Sequence, residues 1–215
     1  MRTRVKYCGL VRPQDVDAAV AIGVDAIGLV FYPKSPRLLD LESAAALRRR
    51  LPSWVSAVGL FVNESPAHID DVAGRVGLDV IQLHGDETVA QARALRTRWW
   101  KALRVTPDDQ TLRRRLEEFT EAEFCLLDSF SAGYGGSGST FDWSLAPRDA
   151  GRRLIMSGGL DAANVGAAIA GIRPFAVDTS SGIQAANPRE KDVGRMESFM
   201  EAVRLADVTP EPSKQ

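Results

Sequence analysis

Cysteine and histidine are scarce in this chain, two of each among 215 residues. Cys8 and Cys125 lie far apart, no C-x-x-C pair occurs, and His68 and His84 lack metal-ligand spacing. No metal site and no disulfide framework are expected, and the cysteine usage fits a reducing, cytoplasmic setting. Long apolar runs are missing too. None reaches the ~18 residues a membrane helix needs, and "MRTRVKYCGL" at the N-terminus has no long apolar stretch of the kind a signal peptide carries. Excess charge of one sign is also missing. With 27 basic and 28 acidic residues the net charge is −1, so no nucleic-acid and no membrane partner is expected. Finally, the segment after the first apolar run, "CGLVRP", is no G-x-G-x-x-G, so a dinucleotide fingerprint is absent where an open doubly wound sheet would place it.

What is present is regular. Hydrophobic residues make up 45% and charged residues 26%, ordinary values for a globular chain with a core. Eight short apolar, β-branched segments read as strands: 4–10, 26–31, 55–62, 80–85, 99–105, 123–129, 153–159 and 175–182. Between and after them, amphipathic segments read as helices: 13–22, 40–50, 65–75, 87–97, 108–119, 141–147, 161–170 and 189–204. Pro13, Asp40, Ser65 and Asp161 are suited to helix starts. Near-continuous apolar strands imply a parallel sheet covered on both faces. Eight strand–helix units in roughly 200–250 residues imply an α/β protein of the (β/α)8 TIM-barrel type. A single domain is expected over residues 1–205. The polar, proline-containing end, 206–215, is expected to be a flexible tail.

In such a barrel the C-terminal ends of the strands carry the chemistry. Those ends offer Cys8-Gly9, the segment "YPKSPR" with Arg37, Asn63, His84-Gly85-Asp86, Arg104, Asp128, Ser157-Gly158-Gly159 and Asp178-Thr179-Ser180-Ser181-Gly182. Three glycine-rich segments follow strands six, seven and eight. Their backbone N–H groups can approach an anion closely, and barrels often hold phosphate after strands seven and eight. Each polar residue has two readings. Cys8 is a small buried hydrophobe or a thiol facing the pocket, whereas Cys125 reads as a buried hydrophobe. Asp128 is a cap, an ion-pair partner or a catalytic acid. His84 hydrogen-bonds a loop or faces a ligand. Arg37 is a surface charge or an anion contact, and Asp178 caps the next turn or fixes a substrate.

The segments "KYCGLVRPQDV", "GLVFYPKSPRLL", "VGLFVNES", "IQLHGDE", "LLDS", "GGSGSTFDW", "SGGLDAANV" and "VDTSSGIQ" with "KD" at 191–192 resemble the phosphoribosylanthranilate isomerase family, in the family's order. The resemblance implies a barrel and a cofactor-free Amadori rearrangement in tryptophan biosynthesis. The substrate would be N-(5-phosphoribosyl)anthranilate and the product 1-(2-carboxyphenylamino)-1-deoxyribulose 5-phosphate. By that resemblance Cys8 is the general base and Asp128 the general acid. Arg37 contacts the anthranilate carboxylate, and Asp178 and His84 contact substrate. Gly136, Gly138, Gly158, Gly159, Ser181 and Gly182 bind phosphate. The acid role needs a protonated Asp128, favoured by apolar surroundings. The base role needs thiolate at Cys8, with Lys6 expected on the same strand face to assist. The partner is a small phosphorylated molecule, and a monomer is expected. The chain departs from the family at Ser139, where lysine is common, at Gln184, where glutamate is common, and at Val11, where threonine is usual. The alternatives are another phosphate-sugar barrel isomerase or synthase, and a barrel that binds a phosphorylated ligand without turnover.

Overall fold

The structure is a computed structural model that describes residues 2–106, 109–129, 140–147, 150 and 153–208. Eight parallel strands close into a barrel: β1 (Arg4–Cys8), β2 (Ala26–Val30), β3 (Ser56–Phe61), β4 (Val80–Leu83), β5 (Trp99–Val105), β6 (Cys125–Ser129), β7 (Leu154–Met156) and β8 (Ala176–Thr179). β1 pairs with both β2 and β8, which is the closure. Around it run α1 (Pro13–Ile22), α2 (Leu41–Arg48), α3 (Pro66–Val76), α4 (Val89–Arg93), α5 (Leu112–Glu118), α6 (Val165–Ile172) and α7 (Val193–Val208).

Period-two alternation sorts the strand residues into two cores. Ile27, Leu29, Ile81, Leu103, Leu127 and Val177 face outward and pack under the helices. Ala26, Val58, Val80, Trp100, Ala102, Leu126, Ile155 and Ala176 fill the barrel interior. Each fully buried aliphatic side chain contributes roughly 1.5–3 kcal/mol. The same parity decides what lies above this plug. Two residues beyond Val80 is Gln82, and two further is His84. Two beyond Leu126 is Asp128, two beyond Ile155 is Ser157, and two beyond Ala176 is Asp178. The polar groups therefore share the interior face with the plug, one layer nearer the C-terminal mouth.

Element ends differ from the sequence reading for local reasons. The helix expected over 141–147 is a single 3-10 turn, Trp143–Leu145, started by Asp142, whose carboxylate accepts Ser144 N–H. Ala146 before Pro147 is extended, as residues preceding proline tend to be. α4 starts at Val89 behind a capping box of Thr88 and Gln91, because Glu87 is buried elsewhere and accepts from Lys101 Nζ, Asn63 N and Gly85 N. α7 starts four residues late, where Asp192 accepts Arg195 N–H. It also ends late. Residues 206–208 are helical rather than tail, because Asp207 accepts both the Thr3 N–H and the Thr3 hydroxyl at 2.7 Å, tying α7 to the entry of β1. Residues 209–215 lie outside the described residues.

Candidate active site

A cavity opens at the C-terminal mouth of the barrel. Cys8, Arg37, His84, Asp128, Ser157, Gly158, Gly159, Asp178 and Ser181 all line it, with Gln82 and Ser180. Gly182 lies in the adjoining groove, which shares Gly159 and Ser181 with the cavity. A Cβ on Gly182 would stand 2.1 Å from the Leu160 carbonyl oxygen, so close backbone packing requires glycine there. Gly136 and Gly138 lie outside the described residues.

On one side stands Cys8. Its Cα pairs in register with Gly28, whose missing side chain makes room: a Cβ there would be 2.6 Å from Cys8 Sγ and 3.2 Å from Lys6 Nζ. Lys6 points inward with Cys8, as the strand period requires. Its ammonium donates to Asp178 Oδ1 at 2.8 Å, and both side chains are buried. Ser157 Oγ donates to the other Asp178 oxygen at 3.2 Å. Burial works against the Lys6 charge, but Asp178 and Cys8 outweigh it and hold the lysine above its ordinary range. Burial pushes the Cys8 thiol up. Lys6 and Lys191 pull it down and Asp178 pushes it up again, with burial prevailing. Lys6 acts on the thiol in the expected direction, yet it does not bring the free thiol below its ordinary value.

Two more cations frame Cys8. Lys191, buried, donates from Nζ to the Ser180 carbonyl at 2.9 Å and reaches Ser180 Oγ at 3.3 Å, while Ser180 Oγ donates to the Cys8 carbonyl at 2.9 Å. Burial and the nearby Arg37 lower Lys191 to about 8. Arg37 donates from Nε to the Pro188 carbonyl at 3.1 Å and from Nη2 to Gln184 Oε1. Gly9, at φ +73°, lets that side chain pass, since a Cβ there would sit 2.4 Å from Arg37 Cδ. Among the described residues no carboxylate pairs with Arg37, and burial lowers its pKa.

Across the cavity stands Asp128. His84 Nε2 lies 3.1 Å from Asp128 Oδ2, and Gln82 Nε2 lies 2.8 Å from His84 Nδ1. Both ring nitrogens of His84 thus engage protein groups, Gln82 and Asp128. The strand-end reading missed Gln82 because it sits inside β4. Its signal was the i, i+2 spacing to His84 in an otherwise apolar strand. Lys191 was visible only as part of a matching "KD" pair. Among the described residues no group of three or more His, Cys, Asp or Glu side chains is placed to hold a metal ion.

Comparison with known proteins narrows the chemistry. The family model for N-(5'-phosphoribosyl)anthranilate (PRA) isomerase matches residues 5–202. The chain is 48% identical over 207 residues to the N-(5'-phosphoribosyl)anthranilate isomerase of Methylibium petroleiphilum, covering 96% of each chain. It is 49% identical to that of Leptothrix cholodnii, covering 96% of this chain and 93% of the relative. The crystal structure of the Thermotoga maritima phosphoribosyl anthranilate isomerase superposes with a TM-score of 0.87 at 43% identity, covering 94% of this chain and 98% of the other. Another isomerase, solved with reduced 1-(o-carboxyphenylamino)-1-deoxyribulose 5-phosphate, superposes at 0.83 with 40% identity over 94% of this chain and 98% of that one. With a polar cavity at the barrel mouth, a thiol and a carboxyl both lining it and this similarity along nearly the whole chain, the protein belongs to the N-(5'-phosphoribosyl)anthranilate isomerase family.

Proposed function

We infer that this chain's reaction, the isomerisation of N-(5'-phosphoribosyl)anthranilate in tryptophan biosynthesis, runs between Cys8 and Asp128. The observation that carries the assignment is that both line one cavity, on strands β1 and β6, with Lys6, Asp178 and His84 locking their surroundings. The substrate is an aminoaldose closed as a furanose. Asp128 gives its proton to the ring oxygen as the C–O bond breaks and the Schiff base forms. Cys8 takes the proton from the second sugar carbon, giving an enolamine that tautomerises to the ketone. Acid and base have to stand on different sides of the sugar, as strands one and six of a barrel allow. The phosphate sits against the backbone at Gly158, Gly159, Ser181 and Gly182. The test is the decay of substrate fluorescence when purified protein meets freshly made substrate. Soluble, folded protein that leaves the signal unchanged would favour the ligand-binding alternative.

Arg37 meets the anthranilate carboxylate, and Gln184, standing where glutamate is common in the family, accepts from its guanidinium. Arg37→Gln removes the charge from that contact. A charge-assisted hydrogen bond is worth about 1.5–3 kcal/mol, and each ~1.4 kcal/mol is tenfold in affinity. KM is therefore expected to rise at least about tenfold, with kcat changing far less. An unchanged KM would remove Arg37 from carboxylate binding.

The catalytic unit proposed is the single chain, since every group named above comes from one barrel mouth. A Thermotoga maritima relative has been studied as monomers generated from a dimeric enzyme. Here Trp54 is 89% exposed on the opposite rim, beside a cavity lined by Trp100, Phe124 and Phe175. Sedimentation with parallel assays across dilution checks the proposal. Specific activity should stay constant whatever mass is found.

A further inference from the structure

Gln82, His84 and Asp128 form a buried chain of hydrogen bonds with one loose end. Gln82 is 0% exposed, and His84 and Asp128 are each 6% exposed. With Gln82 Nε2 donating to His84 Nδ1, the imidazole carries its proton on Nε2 and donates to Asp128, which is then the carboxylate. In that arrangement Gln82 Oε1 is buried and has no hydrogen-bond partner among the described residues. A buried orphan acceptor is costly and calls for an explanation. Rotating the amide by half a turn exchanges its oxygen and nitrogen and puts the NH2 in the orphan's place, so neither orientation satisfies the whole amide and the proton on the His84–Asp128 pair decides between them. Oε1 then accepts from His84 Nδ1–H, and the bare Nε2 accepts the O–H of a protonated Asp128. The two arrangements differ by one proton. An imidazolium facing the carboxylate, the other way to hold that proton, also has Nδ1–H and also needs the amide oxygen.

We propose that Gln82 is a positioning residue that couples the proton on the general acid to the orientation of its own amide. It would let Asp128 be loaded and unloaded without a net charge appearing on His84. This rests on Asp128 being the acid. It goes further by naming the group that sets the acid's protonated state. Of the other ionisable groups around the cavity, Lys6 and Asp178 pair with each other, Cys8, Lys34 and Tyr32 also line it, Arg37 is turned to Gln184, and Arg104, beside Asp128 in register, is turned to Asp86.

The experiment is 15N NMR of the histidine-labelled enzyme over the pH range of the kcat/KM profile. Only two histidines are present, so His68→Asn assigns the spectrum. His84 should pass from Nδ1–H to Nε2–H, neutral throughout, at the midpoint of the limb where turnover is lost with rising pH, and a doubly protonated His84 on the acid side of that limb would overturn the proposal. Gln82→Glu, when ionised, only accepts, so it favours Nδ1–H, and its negative charge should move that limb up by about one pH unit. Gln82→Met has no amide, so tautomer and turnover should no longer move together and kcat should fall about tenfold with KM within about twofold. If the Glu variant does not fold, the Met variant carries the test. One fixed tautomer across the limb, or Gln82→Met with wild-type kcat and midpoint, would overturn the proposal. Full turnover by Asp128→Asn would instead overturn the acid assignment beneath it.

Discussion

Cys8→Ala is expected to lower kcat by about 10²–10⁴-fold, the usual worth of a positioned general base. The site is built around this one sulfur. Gly28 leaves the space it occupies, Lys6 and Lys191 place positive charge beside it, and Ser180 fixes its carbonyl. The thiolate formed on giving up a proton is held by those cations, whereas alanine has nothing to ionise. KM should change much less, because the contacts proposed for the phosphate and the carboxylate come from other groups. Cys8→Ser separates shape from acidity: serine keeps the volume nearly unchanged but does not ionise in this range, so it should be nearly as slow as alanine. The wild-type pH profile gives an independent check. Burial holds the free thiol above its ordinary value, and the thiolate is the active form. The limb that reports Cys8 should therefore still be climbing at neutrality. Turnover within threefold of wild type in the alanine variant would take Cys8 out of the mechanism.

The sequence carried the barrel because strand period and helix period are both strong in it. Eight apolar segments alternate with amphipathic ones, and the interior plug from Ala26 to Ala176 follows from the strand parity alone. The ends were harder. The strand reading ran past β4 and β8, since Gly85 and Ser181 follow smoothly on apolar runs while the ladder itself stops at Leu83 and Thr179. The helix ends depended on side-chain caps and on long-range ties. Nothing near Asp207 in the sequence says that it will bond Thr3. For the site, reading the residue at each strand end found Cys8, His84, Asp128, Ser157 and Asp178, since in a parallel barrel all such positions converge. Lys191 escaped for a topological reason. It returns to the mouth through a bridge from Gln184 to Lys191, with Arg12 and Asp15 of the first loop and helix bonding its backbone. A fold-back of this kind has no period to betray it. The Cys8 environment was legible in its parts, Lys6 on the same face, but not in its balance. How far burial outweighs two lysines depends on packing from several elements at once.

Asp128→Ala should cost about as much as Cys8→Ala, about 10²–10⁴-fold in kcat, because ring opening without proton donation expels an alkoxide. Alanine alone cannot prove the proton matters, since it also removes the partner of His84. Asp128→Asn is the sharper variant. The amide fills the same space and can still hydrogen-bond His84 Nε2, which lies 3.1 Å from Asp128 Oδ2. What it lacks is an acidic proton. The amide also keeps the side-chain volume and a hydrogen-bonding oxygen, so its thermal midpoint should stay close to that of wild type. Stability kept and turnover lost is the combination that singles out proton donation. If both variants lost activity only in proportion to lost folded protein, Asp128 would be a structural partner of His84. Asparagine turning over within threefold of wild type would mean that the ring oxygen receives its proton from water or from another side chain.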